Sequence, residues 1–310
     1  MEKQATRDAY GRELARLGGK YEDIVVLDAD LSKSTKTCDF ARAFPARFFD
    51  AGIAEQNMTG MAAGLAVSGK TVYISSFAVF ATGRNWEQIR NSLAYPRLNV
   101  KVCATHAGIT VGEDGGSHQA VEDIALMRAI PGMTVIVPAD GVSAARAVEA
   151  LYHHPGPAYL RLGRSAVPVL YGEDMEFHIG KGAALRSGSD VAIIACGLAV
   201  SEALGAADIL SQQGIEAAVI DMYSLKPLDV ELVLKMARQC GRIVTVEEHN
   251  VIGGLGSAVC EAVAAGCPVP VKRLGIEDRF GQSGKPDELM KEYGIDAESI
   301  ARQVAAFIKA

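Results

Sequence analysis

Short apolar runs alternate with longer amphipathic segments along nearly the whole chain, and this alternation constrains the fold more than any other feature. Ile24–Ala29 (IVVLDA), Thr71–Phe77 (TVYISSF), Asn99–His106 (NVKVCATH), Thr134–Ala139 (TVIVPA) and Ala158–Leu162 (AYLRL) read as strands. They are nearly continuously apolar rather than alternating, the pattern of strands buried on both faces. Between them, Gln56–Val67, Trp86–Leu93, Gln119–Arg128 and Val142–Tyr152 carry helical spacing. Strand then helix in repetition predicts a parallel sheet covered on both sides. The pattern pauses at Ser165–Asp190, where Pro, Gly and charged residues break the periodicity. A second series follows, with strands at Val191–Gly197, Ala217–Met222, Arg242–Glu248 and Val271–Ile276. Its helices fall near Ser201–Gln213, Val230–Cys240, Gly256–Ala264 and Asp296–Lys309. The expected fold is α/β with two domains, residues 1–170 and 180–310, each a mainly parallel sheet flanked by helices.

Composition narrows the function classes. Against 31 Lys and Arg stand 37 Asp and Glu, a net charge of −6. With no basic block, nucleic acid and anionic membrane are poor partners. No apolar stretch approaches the roughly 20 residues that span a bilayer, and the charged N-terminal segment has no apolar signal core. The six cysteines form no CxxC pair and several sit inside apolar runs, as expected for reduced, buried thiols in the cytoplasm. Six histidines without an HExxH spacing give no expectation of a metal site built from this chain.

Ligands of open α/β sheets sit outside the carboxyl ends of the strands. Asp28–Ser34, Phe77–Phe80 and His106 with the loop Ala107–Ser117 all fall at such ends. Thr105–Asp123 (THAGITVGEDGGSHQAVED) is the most informative stretch, mixing Gly108, Gly112, Gly115 and Gly116 with His106, Glu113, Asp114 and His118. Glycines there allow close backbone approach, and four titratable groups among them point to chemistry. The plainer alternative is a polar loop with Ser117 as a helix N-cap. In Phe48–Gly69, Glu55 opens a helix of small and apolar residues. A helix-start glutamate explains it cheaply through the macrodipole; a desolvated acid working on a ring nitrogen is the alternative. Phe77 and Phe80 in Ser75–Asn85 could face a planar ring or simply fill the core.

Three segments carry a resemblance: GIAEQNMTGMAAGLA, VGEDGGSHQ and GIEDRFGQSGKPDELMKEYGI are similar to the pyrimidine-binding and C-terminal domains of transketolases. The resemblance covers essentially the whole chain and corresponds to the later half of a full transketolase. The GDG…N signature of the family's diphosphate-binding domain has no counterpart, since no GDG triplet occurs. The resemblance therefore implies the C-terminal subunit of a split transketolase. It would be an enzyme only with a partner chain that grips the diphosphate of thiamine diphosphate and its Mg2+. It also implies self-association, two copies of each chain, and transfer of a two-carbon ketol unit between phosphosugars of the pentose phosphate pathway.

Residue by residue, Glu55 matches the acid that shares a proton with the coenzyme's pyrimidine. Phe80 matches the aromatic stacked on that ring and Phe77 its companion, while the family's usual Tyr is Gly83 here. His118 and Asp114 match residues at the reacting ketose, His118 also near the coenzyme, and Asp30 an aspartate near the coenzyme. Arg7, Ser34, His106 and Arg164 match phosphate contacts, where fork-shaped cations suit two oxygens at once; His106 is also a catalytic candidate. VEEHNVIGGLGSAV, shared with related thiamine enzymes, is expected to be structural, with His249 packed there. His153, His154 and His178 read as ordinary surface or boundary residues. Three alternatives stay open: a deoxyxylulose-phosphate synthase-like chain, a 2-oxo-acid dehydrogenase-like beta subunit, and a scaffold without catalysis.

Overall fold

The structure, a computed structural model, describes residues 2–309. A seven-stranded sheet runs Ser224–Lys226, Thr134–Ile136, Ala158–Arg161, Val100–Thr105, Thr71–Phe77, Ile24–Asp28, Phe48–Asp50. All neighbours are parallel except the Ser224–Lys226 edge. A five-stranded sheet runs Val271–Ile276, Ile243–Asn250, Val191–Ala195, Ala217–Asp221, Ala183–Arg186, with only the last pair antiparallel. Lys3–Ala5 pairs antiparallel with Ala166–Pro168.

The continuous apolar reading of the strands has a direct cause. Val25 and Leu27 face one helical layer with Ile74 and Val102, while Ile24 and Val26 face the other with Tyr73 and Cys103. Alternate side chains of one strand thus enter opposite cores, each burial contributing about 1.5–3 kcal/mol. The first of these cores continues through Ile194, Ile220 and Leu225, so the two sheets share apolar packing. The Ser224–Lys226 edge strand, from the second series, joins the first sheet, and Lys226 Nζ donates to the carbonyls of Arg128 and Ile130.

Several sequence expectations change here. The helix expected over 119–128 spans Asp123–Ala129. Ser117 therefore does not cap it; its Oγ lies 3.0 Å from His118 Nδ1. The helix expected over 86–93 is a short α-helical piece, Trp86–Gln88, between π-helical turns at Phe80–Arg84 and Ile89–Ala94. Such turns widen the ladder by one residue and re-aim side chains. All six cysteines are free, but only Cys103, Cys196 and Cys240 are buried; Cys38, Cys260 and Cys267 are half-buried. Among the described residues, no helix is long and apolar enough to cross a membrane.

Candidate active site

Five parallel strands of the larger sheet deliver their carboxyl ends to one edge, and the candidate residues follow those ends. Asp30 and Ser34 follow Ile24–Asp28, Glu55 follows Phe48–Asp50, and Phe77 and Phe80 close Thr71–Phe77. His106 follows Val100–Thr105, and Arg164 follows Ala158–Arg161. Parallel topology alone gathers residues that are more than 130 positions apart in sequence.

Glu55 is 2% exposed at the first position of the Glu55–Val67 helix. Both its carboxylate oxygens accept from Arg84 Nη1 at 3.0 Å. The same guanidinium lies over the Phe80 ring, 4.6 Å from its centroid. Phe77 and Phe80 are near-parallel with centroids 6.2 Å apart. His118 meets the Phe80 ring edge-on at 5.4 Å. The buried Glu55 carboxylate and the Phe80 face form a seat with the acid and the aromatic surface that an aminopyrimidine ring needs, and the Arg84 guanidinium lies between them.

A cationic cluster adjoins this seat. Arg7 Nη1 donates to the Ser34 carbonyl and to His106 Nε2, each at 3.1 Å. Because an arginine can only donate, His106 Nε2 accepts, so Nδ1 carries the proton and donates to Thr105 Oγ1 at 2.9 Å. Desolvation, reinforced by Arg7 and Arg164, pushes the His106 pKa down to about 3, so the ring is neutral. It also stacks on Phe77 at 3.8 Å, with a backbone φ of +57°. Burial pushes the Arg7 pKa below its ordinary value, and its Nε has no partner. Arg164 donates to the Val111 carbonyl and stands 3.6 Å from Asp114. An orphaned, part-buried guanidinium donor beside a second arginine fits an incoming anion.

The structure thus joins Arg7, Ser34 and His106 directly, Arg164 with Asp114, and Phe77, Phe80 and His118 through their rings. Asp30 stands apart: it is exposed, has φ +62°, and its N–H donates to Asp50 Oδ1. Its neighbour Asp28, not singled out from sequence, anchors the loop. Asp28 is fully buried and accepts from Leu31 N, Thr35 Oγ1 and Thr37 Oγ1. Burial outweighs those bonds and pushes its pKa up to about 6. Arg84 was also missed, though a cation four residues after Phe80 in an aromatic loop was a signal.

The second half of the chain forms the back wall of the glycine loop. The segment Ile109–Asp114 is a 3-10 turn bent at Gly112, where φ is +85°. A Cβ on Gly116 would stand 2.6 Å from the Gly281 carbonyl, and one on Gly115 2.5 Å from Ser283 Oγ. Gln119, buried, donates to the carbonyls of Ile109, Gly112 and Gln282 at 3.0, 3.2 and 2.9 Å. Glu248 Oε1 accepts from Thr110 N at 2.6 Å; burial pushes its carboxyl pKa up to about 7. Below them Arg161 pairs with buried Asp123 at 2.7 Å and donates to the Glu248 carbonyl. Burial alone would raise Asp123, but Arg161 and Tyr159 hold it below the usual carboxylate range. His249, fully buried, accepts from Ala125 N and lies 2.7 Å from the Asn250 carbonyl, so it ties the two halves together.

With this geometry in hand, comparison with known proteins is informative. The family description "Transketolase, pyrimidine binding domain" matches residues 2–169, and "Transketolase, C-terminal domain" matches residues 180–300. A Methanocaldococcus jannaschii protein named for the C-terminal section of a transketolase is 53% identical over 306 residues, covering 98% of this chain and 96% of that one. Human transketolase is 40% identical over 311 residues, covering 99% of this chain and 49% of its own. The chain thus spans about half the length of that relative. A split-gene transketolase solved as an inactive beta4 tetramer superposes with a TM-score of 0.91 at 50% identity, covering 99% of both chains.

Proposed function

The chain belongs to the transketolase family, and from that premise we propose that it is the C-terminal subunit of a two-chain transketolase. In this reading residues 1–170 hold the pyrimidine end of thiamine diphosphate, residues 180–310 brace them, and a partner chain holds the diphosphate and Mg2+. The relatives support the division: the archaeal protein matches nearly end to end, whereas human transketolase has a further half. That the beta4 tetramer of the split-gene relative is described as inactive agrees with a need for a second chain, and with self-association. The product of the pair would be a heterotetramer moving two-carbon ketol units among pentose-phosphate sugars.

When bound, thiamine diphosphate supplies the nucleophilic carbon that attacks the ketose carbonyl. This chain's residues act at the pyrimidine end and on the sugar. Glu55, desolvated at its helix start, shares a proton with the pyrimidine nitrogen, while Phe80 and Phe77 fix the ring plane. Arg7 and Arg164 hold the sugar phosphate with the Ser34 loop. Neutral His106 aims Arg7 rather than carrying charge of its own. His118, beside Phe80, and Asp114 serve the carbonyl and hydroxyls of the sugar.

The observation that carries the reading is the Glu55–Phe80 seat beside the arginine cluster. Reconstituted with a partner chain, the protein should convert xylulose 5-phosphate plus ribose 5-phosphate and ignore pyruvate. Glu55→Ala should cost about 10²-fold or more in kcat, with Glu55→Gln close behind. Full activity of Glu55→Ala, or turnover of pyruvate alone, would sink the assignment.

A further inference from the structure

Glu55 and Phe80 are the two groups expected to hold the coenzyme ring, yet both are already engaged by one side chain. Arg84 Nη1 donates to both Glu55 oxygens, and the guanidinium carbon lies over the Phe80 ring, 4.6 Å from its centroid. A guanidinium is flat, donates in its own plane and presents a π-face. These are the properties an aminopyrimidine uses at such a seat. The backbone that carries it is held in place: Arg84 ends the π-helical turn Phe80–Arg84, and its carbonyl accepts from Gln56 Nε2 at 3.0 Å. The side chain is not so confined, being 48% exposed. Next to it, a Cβ on Gly83 would meet nothing within 4 Å, so the space beside that backbone is open.

On the reading that Glu55 binds the coenzyme, we propose that Arg84 is a built-in occupant of the pyrimidine seat, and that the coenzyme enters by displacing it. The device solves a physical problem. A carboxylate that is 2% exposed is costly without a partner. Before the coenzyme arrives, Arg84 supplies that partner and keeps Glu55 oriented. With its cation half in water, the pair is screened by solvent on that side. The occupant is therefore easily exchanged for a ring that is held at both ends. Arg84 sets the threshold for coenzyme capture and acts on Glu55, not on the substrate.

The test is thiamine diphosphate binding to the reconstituted two-chain complex, read by calorimetry and stopped-flow fluorescence. Trp86, the only Trp of the chain, lies two residues from Arg84 and reports the exchange. Arg84→Met keeps an unbranched, flexible side chain and removes the competing charge. It should bind the coenzyme about three- to tenfold more tightly, with a faster association rate and an unchanged KM for the phosphosugar. Arg84→Lys, which keeps the charge but loses the flat fork, should fall between Arg84→Met and the native protein. Coenzyme affinity unchanged or weakened in Arg84→Met, while the native complex binds normally, overturns the occupant role and leaves the functional reading intact. Absence of binding in native and variant complexes alike overturns both.

Discussion

Gln119→Ala tests whether the second half of the chain works in catalysis through the glycine loop. One buried amide serves three carbonyls: Ile109 and Gly112 on the loop, and Gln282 on the facing segment. Two N–H groups shared among three acceptors are worth about 2 kcal/mol net, at roughly 1 kcal/mol per bond. Alanine also leaves a void at a 3% exposed site. The loop carries Asp114 and His118 and, through the Val111 carbonyl, steadies Arg164. If the loop relaxes by that amount, kcat/KM for the phosphosugar should fall about tenfold to thirtyfold, since 1.36 kcal/mol is a factor of ten. Most of the change should appear in KM, and coenzyme affinity should stay within about twofold, because the Glu55–Phe80 seat lies on other elements. Gln119→Glu, nearly the same shape, should be at least as damaging, because a carboxylate turns acceptors toward three carbonyls. Steady-state kinetics on the reconstituted complex, with coenzyme titration and thermal unfolding alongside, reads all three quantities. Native kcat/KM in Gln119→Ala would refute the clamp. A parallel collapse of coenzyme affinity and melting temperature would refute its local action.

Two further outcomes follow from the same seam and its surroundings. Asp221 is fully buried, accepts only from Tyr171, and burial pushes its pKa up to about 8. Its folded value lies above its unfolded value, so its contribution is complete below about pH 4 and is lost as pH rises through about 8. Asp221→Asn should flatten the fall of stability across that window by a few kcal/mol at most, read as melting temperature against pH; an unchanged slope would contradict the burial argument. Gly108 has φ +79°, and a Cβ there would stand 2.2 Å from Glu248 Cδ. Gly108→Ala should therefore destabilise by about 3 kcal/mol or more and lower the melting temperature by several degrees; a native melting curve would show that the seam yields more readily than its packing indicates.

Much of the layout was legible in one dimension. Continuous apolar runs such as IVVLDA meant strands with two buried faces, and Val25 and Val26 do enter opposite cores. The order of strand and helix implied parallel pairing, and parallel pairing put Asp30, Phe77, His106 and Arg164 at one edge. What failed was local. Gln119–Glu122 has helical composition but remains a loop, because Gln119 turns inward to bridge three carbonyls, two of them in its own loop and one 163 positions away. The stretch after Phe80 has helical spacing but winds into π-helical turns, and one of them ends on Arg84.

Periodicity and residue type are properties of neighbours along the chain, so the sequence by itself determined strands, sheet type and which loops could carry chemistry. Charge states and pairings depend on what a side chain meets across the fold. Only the tertiary structure decided that His106 is neutral under Arg7, that Glu55 is paired with Arg84, and that Glu248 and Gln282 of the second half hold the loop of the first. Desolvation and hydrogen bonding act over a few ångströms in space, and sequence separation says nothing about that distance.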